Sequence, residues 1–405
     1  MKLKARALLV MTVAAATLWL GGCGHYVCDH TFGNATCSSS SSGFGSGSGS
    51  SPSETALVYT MDDKVGQMAA EGLNIDNSGI FNPLGAFVSP TFNEPANEPD
   101  GGMVIVDKQF LYIVFNDGDL FGYTIDATNG ALTAIGTGPY SVTEGGYSIK
   151  ADPNGAVLFV GGGAGISTFT ISQTDGSLTL VGSYSTSGII PTDITTDGLG
   201  KYVYAVTGST VAAFSYTSSG VLTAVAGSPF SAGMGQIHGE ASGQYILGIT
   251  QEIGVSGTAP DEHVYVFPIT QSGTSAGALG TAVKWPTVYA PIHIVVSPDG
   301  GFVYTFNELW VNSLETTIEP VEGFSFSSST GVVTELSSYS PFTTLLGTAG
   351  KFDQSGQYLF MLGTTTNSPA AGMVPLNAST SSGSLTSTLS SAGTLGTTFA
   401  VTDVP

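Results

Sequence analysis

A four-residue strand motif recurs seven times along the chain, and nothing else in the sequence restricts the fold as tightly. Its copies are ALVY at 56–59, QFLY at 109–112, AVLF at 156–159, KYVY at 201–204, QYIL at 244–247, GFVY at 301–304 and QYLF at 357–360. Their last residues lie 43 to 57 positions apart, a length that accommodates four short strands with variable loops. A second landmark follows each copy by about 20 residues: Gly79, Gly130, Gly176, Gly220, Gly277, Gly331 and Gly383. The stretch between the two alternates in character, as in LFGYTI at 120–125 and VAAFSY at 211–216, and ends in polar turns such as DATNG at 126–130. Turns at 152–155, 197–200, 241–243, 298–300 and 353–356 precede the later copies of the motif.

Each unit therefore predicts a four-stranded meander, too small a sheet to bury both faces alone. Stacking such sheets around an axis buries them, so the expected fold is all-β: a seven-bladed β-propeller over residues 55–405. The first unit lacks an inner strand, and residues 397–402 (TTFAVT) have the composition to supply it. The C-terminal strand is thus expected to complete blade one and close the ring. Composition agrees. With 56 Gly in 405 residues, 41% hydrophobic residues and only 10% charged ones, the chain has core enough to fold, and lacks both a collagen period and the composition of a helical bundle.

The segments PIHIVVSPDG at 291–300, with FVY at 302–304, and GVLTAVAGSPF at 220–230, echoed by SPF at 340–342, resemble the lactonase-type seven-bladed propellers, which include 6-phosphogluconolactonase and muconate-lactonising cycloisomerase relatives. The likeness covers roughly residues 55 to 405. It implies blade architecture more than a reaction, because propellers host unrelated functions.

The first 22 residues have a basic start (Lys2, Lys4, Arg6), an apolar run from Ala7 to Leu20 and small residues at the end, the layout of a secretory signal. Leu20-Gly21-Gly22-Cys23 resembles a bacterial lipobox, which implies lipidation at Cys23 and attachment to a membrane, with the outer membrane expected, on its periplasmic or surface side. Residues 23–54 then read as an acylated cysteine and a Ser/Gly-rich tether. Within it Cys28 and Cys37 are placed for a disulfide. With His25 and His30 they also make a set of zinc ligands, but the segment has no core to hold a tetrahedron.

Removal of the signal leaves six lysines and no arginine against 30 acids, a net charge of -24. Such a surface repels nucleic acid. Counting back from the repeated motif places Gly101, Ser148, Asp193, Gln236, His293 and Ala349, with Thr397 or Thr398, at equivalent points of the inner strands, around the channel. His293 and Asp193 are the candidate catalytic pair, the imidazole as general base and the carboxyl as the acid that orients an electrophile for opening a lactone ring. Ser148, Gln236 and His238 are candidate ligand contacts there, and Trp310, in the long 307–319 connection, is a candidate contact for carbohydrate or protein. Lys150 and Lys351 lie two residues past ring positions and also face the channel by this count.

No metal site or cofactor is expected: no metal-ligand spacing, phosphate loop or serine-hydrolase elbow is present. His263 reads as a surface residue, and the Asn116–Asp119 stretch as a hairpin turn. Two functions follow. One is an exported, lipid-anchored module that binds or scaffolds a small neutral ligand, a carbohydrate or a protein outside the cytoplasm. The alternative is a lactonase-family hydrolase that opens a neutral lactone at the channel mouth.

Overall fold

The computed structural model describes residues 54–61, 70–76, 81–83, 102–115, 118–127, 130–142, 148–163, 165–186, 188–251, 261–307, 321–336, 345–365, 368–387 and 398–403. Cys23, Cys28, Cys37, Trp310, Gly101 and Thr397 lie outside them. Among the described residues, no helix is long and apolar enough to cross a membrane.

The fold is an all-β propeller with four-stranded blades. Six antiparallel sheets each take their strands from one contiguous stretch, at residues 102–141, 148–185, 193–231, 236–286, 291–335 and 345–387. A further sheet is composite: strands Glu54–Met61, Ala70–Asp76 and Phe81–Pro83 are joined by Thr398–Asp403, with Val58 opposite Val401 and Tyr59 opposite Ala400. The first strands of the contiguous sheets pack side by side in chain order, from Gly102–Val106 to Leu345–Phe352, and Thr398–Asp403 touches both of those two.

The core lies between sheets. Val106, Phe110, Tyr112 and Val114 of one blade pack with Ile149, Leu158, Val160 and Phe169 of the next, and equivalent layers join the 148–185 sheet to 193–231, that sheet to 236–286, and 291–335 to 345–387. Period-2 alternation explains this, since each pleated strand sends successive side chains to opposite faces and both faces are covered.

The two sequence landmarks meet across these layers. The motif's fourth residue is buried in every copy, at 2% exposure or less where described for Tyr59, Tyr112, Phe159, Tyr204, Leu247, Tyr304 and Phe360. Where it is tyrosine, its hydroxyl donates to the landmark glycine carbonyl of the following unit: Tyr59 to Gly130 (2.8 Å), Tyr112 to Gly176 (2.6 Å), Tyr204 to Gly277 (3.0 Å) and Tyr304 to Gly383 (2.7 Å). Glycine is required at the acceptor end. Gly383 has φ +68, and a Cβ there would fall 2.4 Å from Phe302 Cδ1.

The turns after the inner strands share a second device. Asp152 Oδ1 accepts from Ala156 and Val157 N–H (2.6 and 2.7 Å), Asp197 Oδ1 from Lys201 and Tyr202 (both 2.7 Å), and Glu240 Oε1 from Gln244 and Tyr245 (2.7 and 3.0 Å). Each buried acid thus caps the start of the second strand and fixes where its blade begins.

Candidate functional site

The inner strands surround a cavity of about 470 Å³. Its walls carry two tiers of polar side chains, set by the two-residue period of the strands.

The first tier holds Asp193, Gln236 and His293 on the cavity wall, one from each of three successive blades, with Ser148 at the equivalent strand position of the blade before but outside the lining. Each reaches the backbone of the next inner strand. Ile194 N–H donates to Ser148 Oγ (2.9 Å), Ile237 N–H to Asp193 Oδ2 (2.8 Å) and Ile294 N–H to Gln236 Oε1 (2.8 Å). His293 Nε2–H donates to the Gly350 carbonyl (3.0 Å), while its Nδ1 accepts from Gln236 Nε2 (3.1 Å). Both ring nitrogens are therefore engaged, and His293 stands against Phe306 with ring centroids 5.6 Å apart. Burial pushes the His293 imidazole down to about 4, against the pull of the Gly350 carbonyl and with a contribution from Lys351. It is neutral at pH 7.

Asp193 is the exception in chemical character. Burial pushes its carboxyl up to about 6, opposed by the Ile237 N–H, the Lys150 ammonium, the Ile194 N–H and the Ser148 hydroxyl. A carboxylate poised there is ionised at neutral pH yet basic enough to take a proton.

The second tier, two residues along, contains Lys150, Thr195, His238 and Lys351. Thr195 Oγ1 accepts from Gly239 N–H (3.0 Å). His238 donates from Nδ1 to the Gly239 carbonyl (2.9 Å), and its Nε2 has no partner among the described residues. Burial, the Lys150 charge and, more weakly, His293 push that imidazole down to about 3, against the Gly239 carbonyl. Lys351 Nζ donates to the Met103 carbonyl (3.4 Å). Burial lowers both lysine ammoniums, that of Lys351 to about 8 with help from Lys150; Asp193 opposes the shift in each.

The structure thus brings Asp193, His293, Gln236 and His238 together in one cavity, whereas Ser148 does not line it: its hydroxyl is buried against the Ile194 N–H behind the wall. His263 stands apart, its side chain 37% exposed and paired with Asp261 Oδ1 at 2.6 Å. No group of metal-ligating side chains occurs among the described residues. The feature the sequence underweights is the lysine pair. Eight lysines in a strongly acidic chain count for little in total, yet two of them share this small volume. Their common offset from the ring positions is the signal that finds them.

Similar architecture occurs in solved structures. A candidate 6-phosphogluconolactonase from Bacteroides fragilis superposes with a TM-score of 0.62 at 17% identity, covering 86% of this chain and 98% of that one. The chain has the fold of a lactonase-type β-propeller. A candidate 6-phosphogluconolactonase from Bacteroides uniformis gives a TM-score of 0.61 at 18% identity, over 87% and 98% of the two chains. The periplasmic gluconolactonase of Pseudomonas aeruginosa gives 0.60 at 15%, over 87% and 99%. No protein-family model and no curated protein sequence matches the chain.

Proposed function

We propose that the chain is an exported, lipid-anchored hydrolase that opens a neutral lactone in the channel cavity. The observation that carries this reading is the placement of the Asp193 carboxyl in one cavity with Lys150 and Lys351; burial pushes that carboxyl up to about 6. Asp193 takes a proton from water, and the water oxygen attacks the lactone carbonyl. The Lys150 ammonium steadies the oxyanion, and the ring C–O bond breaks as its oxygen takes back the proton held by Asp193, giving a hydroxy acid and restoring the carboxylate. His293 holds the strand that carries Gly350 and does not act as a base. The similar folds that include gluconolactonases support this reading over a purely scaffolding role. Lipidation at Cys23, with the tether that follows, accounts for location in the envelope.

We also infer that the composite sheet is a seventh blade that closes the ring through Thr398–Asp403. Its support is the β-pairing of that strand with Glu54–Met61 and its contacts with the inner strands on either side.

The test is proton release from glucono-δ-lactone by the full chain. Turnover is expected to rise with pH and level off above about 6, as Asp193 becomes ionised, and Asp193→Asn is expected to lose roughly 100-fold or more. A rate equal to the spontaneous opening, or an unchanged rate in the variant, would overturn the assignment.

A further inference from the structure

Two lysines from separate blades face one small cavity, and hydrolysis as derived above uses only one of them. Lys150 leaves the 148–185 sheet and Lys351 the 345–387 sheet, each at the second position past the ring tier. Apolar side chains, among them Val104, Ile149, Ile294, Val295 and Val296, line the same space. The described residues give Lys150 no ion pair within 4.0 Å, so the nearby Asp193 carboxylate does not quench it directly. Two ammoniums in one desolvated volume are unfavourable, and the arrangement is relieved when one becomes a neutral amine. Lys351 is the one whose charge is lowered to about 8, by burial and by Lys150.

We propose that Lys351 is an amine nucleophile that captures a small uncharged aldehyde or ketone in the channel as a Schiff base, with Lys150 as the second ammonium of the same cavity. The Nζ lone pair forms a bond to the carbonyl carbon while the C=O π pair moves to oxygen, which takes a proton from Lys150. Nζ returns a proton to the Lys150 amine, leaving a carbinolamine. The hydroxyl then departs as water with a proton from Lys150, the nitrogen lone pair forms the C=N bond, and the last N–H proton goes back to Lys150. One amine and one carbonyl give one imine and one water, with no oxidant or reductant. The charged and titratable groups around Lys351 are Lys150, Asp193, His238, His293 and, beyond the end of its own strand, Asp353. Of these the two histidines are neutral at pH 7. A cavity of about 470 Å³ limits the partner to a small molecule.

This activity does not depend on hydrolysis, and the two are read separately. The full chain is incubated at pH 7 with glycolaldehyde and sodium cyanoborohydride, and the reduced adduct is mapped by peptide mass spectrometry. Lys351 is expected to label roughly 100-fold faster than the exposed Lys201 and Lys284, because far more of it is neutral at that pH. Its labelling rate is expected to reach half-maximum near pH 8, and Lys150→Met is expected to move that midpoint to higher pH and slow labelling at pH 7 several-fold. If that variant does not fold, the wild-type site and pH profile decide. Labelling of Lys351 no faster than that of the exposed lysines, or a midpoint near 10, would overturn the proposal. Lactone turnover without the adduct would leave the hydrolase and remove this activity; the adduct without turnover would do the reverse.

Discussion

The polar groups between the blades and those inside the channel differ in what remains free. Tyrosine hydroxyls between the blades, and Gln236 and His293 on the channel wall, are consumed by bonds to the next unit's backbone. Two residues along, His238 keeps an open Nε2 and Lys150 has no ion pair among the described residues. Gln236 and His238 sit on the same inner strand, two residues apart. Proximity to a channel therefore does not make a residue chemical; the availability of its atoms does. Asp193 belongs to both sets, since it bonds the next strand and still titrates near 6.

The comparison predicts that changes to groups consumed by backbone bonds cost folding, whereas changes to groups left open in the channel cost chemistry. The largest effect belongs to the composite sheet. Removal of Thr398–Asp403 strips the pairing partner from Glu54–Met61 and exposes a sheet edge. Loss of a single cooperative melting transition is expected by calorimetry; an unchanged transition would refute closure by this strand. A smaller contrast separates the two channel histidines. His293→Ala leaves Gln236 Nε2 and the Gly350 carbonyl without their partner, and about 2 to 4 kcal/mol of stability is expected to go. His238→Ala removes one bond to the adjacent Gly239 and is expected to cost about 1 kcal/mol. Urea titration of both variants measures the gap, and equal losses would erase the distinction between the tiers.

Much of the fold was legible because blades repeat. Buried motif residues such as Tyr204 and turn glycines such as Gly383 recur for a steric reason and so leave a period in the sequence. The ring positions Ser148, Asp193, Gln236 and His293 followed from that period alone. Their hydrogen-bond partners did not, because Ile194, Ile237, Ile294 and Gly350 act through backbone atoms that carry no side-chain signal. The lysine pair was legible only as an offset. Net charge is summed over the chain, whereas the repulsion between Lys150 and Lys351 depends on a proximity that folding creates.

The smallest predicted effect tests whether the two sequence landmarks are joined by more than packing. Tyr304 donates its hydroxyl to the Gly383 carbonyl at 2.7 Å, while Phe159 and Phe360 occupy the equivalent place without a hydroxyl. The ring alone therefore suffices to fill the layer, and the hydroxyl adds one buried bond. Tyr304→Phe keeps the shape and deprives the carbonyl of its partner, so about 1 kcal/mol and a few degrees of melting temperature are expected to be lost. Gly383→Ala serves as the opposing probe, because its Cβ would overlap Phe302 and its backbone sits at φ +68. A larger loss there than in Tyr304→Phe would mean that close approach, with the hydrogen bond secondary, holds these blades in register. Equal losses would mean that the bond sets the approach.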